Sequence, residues 1–415
     1  MSSDACRRAR SRLPAQATSV PAIEELAGAA LEMRAVVLRE PGRPVEVETV
    51  TLAPPRRGEV LVRVAAAGVC HSDVHLADGL LGAGRFPMVL GHEGAGVVES
   101  VGPGVSELAV GDHVAFCFVP ACGACGACRD GRRTLCETAA RFGVAGMLMD
   151  GSSRLRGLDG EVLQHGLMVA CFAEYAVVPV AGAVPLPSSV PLWQAALLGC
   201  GVVTGLGAVN RASLRVGASV CVIGCGGVGL QVIAGARLAG AATIVAVDVD
   251  EAKLAVAARR GATHAVLAGA GPGAGAGPVS GDVVEEVRRV TDGGVEHAFE
   301  VVGRAETIRQ AWDVLRPGGT ATVVGLAPLG VEVTLPAIEF LSEKTITGCY
   351  YGSTDVHAAL ERLVPMVLDG RLDLDEVVSD VIGLNDVEAA LARLRRGEGA
   401  RSIVVIDEQL AGRPR

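Results

Sequence analysis

The chain has 415 residues, of which 50% are hydrophobic and 20% are charged. This length predicts two domains, and this apolar content excludes a mostly disordered chain. The net charge of −9, without a basic run in the body of the chain, argues against nucleic acid and membrane surfaces as partners.

The first part of the chain changes pattern at residue 33. Residues 1–32 are rich in Ala, Arg and Ser, and we interpret them as a flexible N-terminal extension or as sequence upstream of the true start. From residue 33 to residue 201 the apolar runs are short, as at 59–65 and 96–101, and Gly and Pro separate them. This rhythm predicts a β-rich, barrel-like domain.

Residues 202–350 have a different rhythm. Strand-like runs at 219–223, 243–248, 295–300 and 320–325 alternate with helical stretches. Strands that alternate with helices predict a doubly wound parallel sheet, so the fold class is α/β. A further helix and two strands follow between 351 and 415. Within the second domain, the Gly/Ala/Pro-rich residues 268–281 predict a flexible surface loop.

Hydropathy and cysteine content bear on the compartment. No uninterrupted apolar run reaches the ~20 residues of a spanning helix, and the longest candidate, residues 218–236, contains five glycines. No apolar stretch follows the basic N-terminus, so the sequence does not indicate a secretory signal. Twelve cysteines in such a chain therefore predict a cytoplasmic, reducing environment with metal-bound or free thiols.

A dinucleotide-binding fingerprint follows the predicted strand at 219–223. The segment Gly224-Cys-Gly-Gly-Val-Gly229 has the form G-x-G-x-x-G and opens a predicted helix. Its glycines allow a tight turn, a close approach to a pyrophosphate, and close packing of helix on strand. Asp248 ends the next predicted strand, where its carboxylate can accept hydrogen bonds from a ribose and repel a 2′-phosphate. We therefore expect NAD rather than NADP.

Four cysteines form a compact cluster in the first domain. Cys122, Cys125, Cys128 and Cys136 have the spacing C-x2-C-x2-C-x7-C. Four thiolates suit a tetrahedral structural Zn²⁺ that has no open position. An iron–sulfur cluster is the main competing hypothesis, but its bacterial motif has a shorter final spacing and a proline after the fourth cysteine. Free thiols or disulfides also remain open.

A second possible metal set is scattered along the chain. Cys70 lies in Cys70-His-Ser-Asp-Val-His75, His92 in Gly91-His-Glu-Gly-Ala-Gly96 and Cys200 in Gly199-Cys-Gly-Val-Val-Thr204. Two cysteines and one histidine form a known catalytic zinc shell with one open position. Spacing alone does not join these three residues, because isolated Cys and His residues in apolar segments are also common in protein cores.

The motifs together resemble those of the zinc-dependent medium-chain alcohol dehydrogenases. The likeness extends over residues 33–408 and includes the segments at 68–73, 91–96, 122–136, 198–205, 224–229, 299–304 and 401–405. It implies a GroES-like catalytic domain (33–201, with a structural zinc lobe at about 117–137), a Rossmann NAD-binding domain (202–350) and a C-terminal return to the catalytic domain (351–415). It also implies a homodimer or homotetramer, with two zinc ions and one NAD per subunit.

The resemblance implies a role for each matching residue. Cys70, His92 and Cys200 would hold the catalytic zinc, with Glu93 beside it and Asp73 orienting His92. Ser72 would contact the substrate oxygen, His75 would end a proton relay to solvent, and Phe118 would line the substrate pocket. The implied cofactor contacts are His71, Thr204, Gly224, Gly226, Gly227, Val228, Gly229, Asp248, Lys253, Arg304 and Arg401.

The implied reaction is oxidation of a primary alcohol, aromatic or of medium chain length, to its aldehyde, or the reverse, with hydride transfer to or from NAD. The segments at 153–155 and 172–175 resemble the aryl-alcohol and thiol-adduct formaldehyde branches. The glutathione-using branch has an Asp where this chain has Leu81 and a Tyr where it has His75, which disfavours glutathione adducts. Two more hypotheses are a dehydrogenase that retains its NAD and uses an external electron acceptor, and a non-catalytic zinc- and nucleotide-binding protein.

Overall fold

A computed structural model describes residues 29–81, 85–269 and 283–412. Most of the expected N-terminal extension, residues 1–28, lies outside the described residues, as does most of the expected loop at 268–281. The first strand begins at Leu31, ahead of the boundary that the sequence predicts at residue 33.

The first part of the chain is built from short strands. They are β1 (Leu31–Leu38), β2 (Glu46–Leu52), β3 (Glu59–Val69), β4 (Met88–Val89), β5 (Glu93–Val101), β6 (His113–Phe116), β7 (Leu155–Gly157), β8 (Val162–His165), β9 (Tyr175–Pro179) and β10 (Ala183–Leu186). Five of these strands close a small barrel in the order β1-β2-β7-β8-β4. Strands β10, β6, β5 and β3 continue a neighbouring sheet, and β9 pairs with β3. Strand β3 is buried along nearly its whole length because strands pair with it on both sides.

Short helices connect and cover these strands. They are α1 (His71–Ala77), α2 (Gly126–Arg129), α3 (Glu137–Gly143), α4 (Leu192–Leu197) and α5 (Val203–Ala212). A π-helical turn, Leu198–Val202, joins α4 to α5. Within the described part of the chain, Leu192–Ala212 has the length and mean hydropathy, 1.6, of a membrane-spanning helix, but 78% of its most apolar window is buried inside the protein.

The second part is a six-stranded parallel sheet. Its strands are β11 (Ser219–Ile223), β12 (Thr243–Asp248), β13 (His264–Leu267), β14 (Val295–Glu300), β15 (Leu315–Val323) and β16 (Thr345–Gly348), in the order β13-β12-β11-β14-β15-β16. The intervening helices are α6 (Gly227–Leu238), α7 (Glu251–Arg259), α8 (Val283–Val290) and α9 (Ala305–Asp313). The strand order reverses between β11 and β14, and ligands of such sheets bind in the crevice at that point.

The C-terminal segment adds α10 (Val356–Leu368), β17 (Asp380–Ile382), α11 (Val387–Arg395), β18 (Ser402–Val405) and α12 (Glu408–Ala411). Strand β18 pairs antiparallel with β3, with Ser402 opposite Val69. The last strands therefore complete the sheet of the first part, and this pairing carries Arg401 next to Cys70. The predicted class, a β-rich domain combined with a doubly wound parallel sheet, is confirmed.

Candidate active site

Four buried residues bring potential ligand atoms together at the junction of the two parts. Cys70 ends the extended segment before α1, His92 and Glu93 lie at the start of β5, and Cys200 lies in the π turn. Their sulfur, nitrogen and oxygen atoms all lie within 4.8 Å of one another. Cys200 Sγ is 3.5 Å from His92 Nε2. Two thiols and one imidazole at such separations fit a tetrahedral Zn²⁺.

Asp73 orients two members of this cluster. Its Oδ1 lies 3.0 Å from His92 Nδ1, and its Oδ2 accepts a hydrogen bond of 3.0 Å from the Cys70 N–H. The first contact leaves Nε2 free to face the thiols. Burial alone would lower the pKa of His92, but the Asp73 carboxylate and the Cys70 thiol together raise that pKa well above its ordinary value.

Glu93 is a buried carboxylate in a site that favours a cation. Neither of its oxygens makes a hydrogen bond within the described residues. Arg401 Nη1 lies 3.3 Å from Glu93 Oε2 and donates to the Val69 carbonyl at 3.0 Å. Burial raises the pKa of Glu93 to about 7, although Arg401 opposes the shift. A buried carboxylate without hydrogen bonds, next to three potential ligands, fits a nearby metal ion.

Helix α1 presents Ser72, His71 and His75 near this cluster. The Ser72 hydroxyl lies 3.8 Å from Cys70 Sγ. The His71 and His75 rings pack edge to face with centroids 5.1 Å apart, and His75 Nδ1 is buried without a hydrogen-bond partner among the described residues. Burial lowers the pKa of both histidines. The positive charges of Arg401 and Lys253 lower the pKa of His71 further, so both residues lie close enough to His71 to interact with it.

An aromatic wall, formed by Phe118 and Tyr351, lies against the ligand cluster. The Phe118 ring centroid is 5.1 Å from that of His92 and 4.1 Å from that of Tyr351. The Tyr351 hydroxyl donates a hydrogen bond to the Gly199 carbonyl. Tyr350 immediately precedes Tyr351 in the chain, and burial together with the nearby Cys200 thiol raises its pKa to about 12. Sequence reasoning missed both tyrosines, because no recognisable motif surrounds them.

The glycine fingerprint forms a tight turn after β11. Gly224 has φ +96°, which favours glycine. A Cβ on Gly229 would lie 1.8 Å from the Gly224 carbonyl oxygen, whereas a Cβ on Gly226 would meet nothing within 4 Å. Gly226 is the N-cap of α6, so the free N–H groups of that helix begin at an open surface. Gly227 and Val228 form the first turn of this helix.

The other predicted cofactor contacts lie around this turn or at the same edge of the sheet. Asp248 ends β12; its Oδ2 accepts from the Cys225 N–H at 2.7 Å, and its Oδ1 accepts from the Asp250 N–H at 3.0 Å. Thr204 lies in the first turn of α5, and Arg304 is the N-cap of α9. The Lys253 ammonium donates to the Gly397 carbonyl at 2.5 Å.

Arg401 connects the glycine turn to the ligand cluster. Its Nη2 lies 2.4 Å from where a Cβ on Gly227 would be, and 2.9 Å from where a Cβ on Gly201 would be. The same guanidinium reaches Glu93. The two predicted sites are therefore adjacent, with one buried cation between them.

The four-cysteine cluster forms a second site. The sulfur atoms of Cys122, Cys125, Cys128 and Cys136 all lie within 4.8 Å of one another. The Cys122 N–H donates to Cys136 Sγ, and the Cys125 N–H donates to Cys122 Sγ, each at 3.3 Å. A hydrogen bond from the Thr138 side chain lowers the pKa of Cys122 to about 6, with further help from backbone N–H groups. All four are free thiols, so disulfides do not explain the cluster, and the donor set fits Zn²⁺.

Comparison with known proteins places the chain in a family. Residues 56–188 match the alcohol dehydrogenase GroES-like domain, and residues 227–365 match the zinc-binding dehydrogenase domain. The class-3 alcohol dehydrogenase of Cereibacter sphaeroides is 34% identical over 383 residues, covering 90% of this chain and 100% of the relative. An S-(hydroxymethyl)glutathione dehydrogenase of Paracoccus denitrificans is 33% identical over 384 residues, with the same coverage.

A solved structure agrees with these relatives. The benzyl alcohol dehydrogenase of Acinetobacter calcoaceticus superposes with a TM-score of 0.83 at 31% identity, covering 91% of this chain and 99% of that chain. The convergent cysteine and histidine ligands, the glycine turn and these similarities have one explanation: the chain belongs to the zinc-dependent medium-chain alcohol dehydrogenases, enzymes that use zinc and a nicotinamide dinucleotide.

Proposed function

We propose that this enzyme oxidises primary alcohols, aromatic or of medium chain length, to aldehydes with NAD, or catalyses the reverse reaction. The observation that carries the proposal is the cluster of Cys70, His92 and Cys200 beside the aromatic ring of Phe118. When bound, zinc supplies a Lewis acid for the substrate oxygen, and the nicotinamide supplies the hydride acceptor. Cys70, His92 and Cys200 would hold the metal, with Glu93 near it.

Residues of helix α1 would transfer the proton of the substrate hydroxyl to solvent. Ser72, with its hydroxyl 3.8 Å from Cys70 Sγ, would hydrogen-bond the substrate oxygen and accept its proton. His75 would receive that proton through the relay and release it to solvent. Its lowered pKa keeps the ring neutral near pH 7, so it is able to accept a proton there. Asp73 would keep His92 in the tautomer that faces the metal.

The N-terminus of α6 would hold the cofactor's pyrophosphate, because its N–H groups and the helix dipole favour anions. Arg401 lies against Gly227 in the first turn of this helix. Arg401 and Lys253 each interact electrostatically with His71, and these three residues would contact the pyrophosphate. Asp248 would accept hydrogen bonds from the adenosine ribose, and Thr204, Val228 and Arg304 would contact other parts of the dinucleotide. The four thiols of Cys122, Cys125, Cys128 and Cys136 would hold a structural zinc.

The substrate proposal favours an apolar alcohol. Leu81 is half-buried and packs against an apolar cluster, so it provides no carboxylate for the amino group of a glutathione adduct. Phe118 and Tyr351 add aromatic surface next to the metal ligands, and one structural relative is a benzyl alcohol dehydrogenase. The second candidate, S-(hydroxymethyl)glutathione oxidation, is favoured by the names of the curated relatives.

One assay separates these substrates. NADH absorbance would be followed with ethanol, hexanol, benzyl alcohol, cinnamyl alcohol and S-(hydroxymethyl)glutathione. We expect kcat/KM for benzyl or cinnamyl alcohol to exceed that for the glutathione adduct at least about tenfold. A preference for the adduct would establish the second candidate. Gel filtration before the assay tests whether NAD remains bound, as a dehydrogenase with an external acceptor would require.

We further propose a cytoplasmic homodimer or homotetramer, joined through the β16 edge of the parallel sheet. The segment before this edge exposes large apolar side chains, with Leu329, Ile338 and Leu341 respectively 75%, 71% and 81% accessible. Exposed apolar groups near a sheet edge favour association with a second copy. Light scattering of the purified protein would give the subunit number, and a monomer would contradict this part of the proposal.

Substitution of His75, the proposed end of the proton relay, should have a moderate effect on the rate. We expect His75→Gln to lower kcat about tenfold, which is less than a full loss of general acid–base catalysis, because water can partly replace the ring. Added imidazole should restore part of the rate. His264→Gln, a change at an exposed residue of strand β13, is the matched control and should behave like the wild type. An unchanged kcat for His75→Gln would remove His75 from the relay.

Cofactor preference gives a separate prediction. We expect Asp248→Gly to raise the ratio of kcat/KM with NADP to that with NAD by roughly 10- to 100-fold, because a carboxylate near a 2′-phosphate repels it by a few kcal/mol. The change also removes an acceptor for the Cys225 N–H. Thermal unfolding must therefore be recorded alongside the kinetics. A wild-type enzyme that already prefers NADP would contradict the assignment of Asp248.

A further inference from the structure

The ligand Cys200 lies in an unusual backbone segment. Residues Leu198–Val202 form a π-helical turn between two α-helices. Such turns interrupt the regular i to i−4 hydrogen bonding of a helix and are frequent at functional sites. The position of Cys200 Sγ therefore depends on whatever fixes this turn from outside. One constraint on the turn is its close packing at Gly199, where an added Cβ would lie 2.3 Å from the Phe116 carbonyl oxygen.

A segment distant in sequence provides a second constraint on the π turn. Tyr351, only 3% exposed, donates its hydroxyl hydrogen bond to the Gly199 carbonyl, next to Cys200. Its backbone has φ +52°, which is uncommon for a residue other than glycine and costs roughly 1 kcal/mol or more. Gly352 follows with φ +73° and packs so closely that a Cβ would lie 2.4 Å from the Val203 carbonyl oxygen. The surrounding contacts therefore hold Tyr351 in an unfavourable conformation directly against the π turn.

The Tyr351 ring also reaches the other ligand-bearing segment. Its centroid lies 4.1 Å from that of Phe118, and the Phe118 centroid lies 5.1 Å from that of His92. One side chain thus contacts the turn that carries Cys200 through its hydroxyl, and reaches His92 through one intervening ring. A tyrosine that only filled space would not need its hydroxyl directed at the backbone of a ligand turn.

We propose that Tyr351 is a positioning residue for the catalytic zinc site: its hydroxyl fixes the Cys200 turn, and its ring supports Phe118 against His92. The inference rests on the proposed assignment of Cys70, His92 and Cys200 as the ligands of that zinc. Tyr351→Phe keeps the ring and nearly all the volume but removes the hydroxyl. The Gly199 carbonyl then loses a buried hydrogen bond, so the turn gains freedom and Cys200 Sγ is held less firmly.

Cobalt provides a direct readout of this geometry. The catalytic zinc would be exchanged for Co²⁺ in the full-length enzyme, and the thiolate-to-cobalt and d–d absorption bands recorded without substrate. We expect Tyr351→Phe to shift the d–d bands and to speed loss of that Co²⁺ to EDTA roughly tenfold, while the structural zinc is lost at the wild-type rate. Tyr351→Met, which removes both hydroxyl and ring, should give a shift at least as large.

Two further variants make the result decisive. Tyr175→Phe removes a hydroxyl from another buried tyrosine, in strand β9, and should leave spectrum and release rate unchanged. Wild-type bands and wild-type Co²⁺ release in Tyr351→Phe would overturn the inference. Cys200→Ser tests the underlying assignment separately: thiolate bands of undiminished intensity in that variant would show that Cys200 is not a ligand, whatever Tyr351 does.

Discussion

Replacing Cys70 with serine is expected to reduce kcat for alcohol oxidation at least about 1,000-fold and to lower the zinc content from two ions per subunit to one. Serine carries a neutral hydroxyl near pH 7, which is a poor substitute for a thiolate on Zn²⁺. The buried Glu93 carboxylate, without hydrogen bonds among the described residues, would then lose a cation that offsets its charge. Elemental analysis and NADH production would be measured on the same preparation.

The same variant should still bind NADH, because the substitution leaves the glycine turn and Asp248 unchanged. Quenching or enhancement of NADH fluorescence would show this binding. Cys349→Ser is the matched control: Cys349 is also buried, lies outside both ligand sets, and accepts a hydrogen bond from the Ser353 hydroxyl at 3.6 Å. Full activity of Cys70→Ser with a single zinc would disprove the catalytic zinc assignment.

Local sequence patterns were sufficient for much of the fold. The rhythm of short apolar runs predicted the β-rich part, and the alternation of strands with helices predicted the parallel sheet, because each depends on residues close together in the chain. The return of the C-terminus was different. Pairing of β18 with β3 joins Ser402 to Val69, and no periodicity connects residues so far apart. Only the likeness to a known family implied it.

The two predicted metal sites likewise differ in how much local sequence reveals of them. The four-cysteine cluster spans 15 residues, so its spacing alone pointed to a metal. Cys200 lies 108 residues after His92 in sequence, and the two meet only because α4, the π turn and β5 pack together. Tyr351 was missed altogether. Its contact with Gly199 depends on a left-handed backbone and a π turn, and neither feature has a reliable signature in one sequence.

Arg401 lies between the predicted metal-ligand cluster and the predicted cofactor turn. Its guanidinium contacts Glu93 on one side and packs over Gly227 and Gly201 on the other. A side chain at position 227 would collide with it, since a Cβ there would lie 2.4 Å from Nη2. The glycine that opens α6 therefore also makes space for the cation that lies beside the predicted metal ligands. In the proposed function, Arg401 would therefore lie beside both the metal and the cofactor.

Substitutions of two fingerprint glycines should separate an effect on protein stability from an effect on NADH binding. We expect Gly229→Ala to lower the melting temperature of the nucleotide domain by about 5 to 10 °C, because its Cβ would lie 1.8 Å from the Gly224 carbonyl oxygen. Relief of this overlap requires α6 to move away from β11, at a cost of about 2 to 3 kcal/mol. Differential scanning calorimetry of the protein without added cofactor would measure the change.

Gly226→Ala is the matched variant, and we expect it to weaken NADH binding while leaving the melting temperature nearly unchanged. A Cβ at this position meets nothing within 4 Å, and its φ of −74° suits alanine, so the melting temperature should stay within about 2 °C of the wild type. The added methyl group would instead occupy the space where the backbone approaches the pyrophosphate, and we expect the Kd for NADH to rise roughly 10- to 100-fold. Unchanged NADH affinity in Gly226→Ala would mean that the dinucleotide does not lie across this turn, and the proposed pyrophosphate site at the N-terminus of α6 would then be wrong.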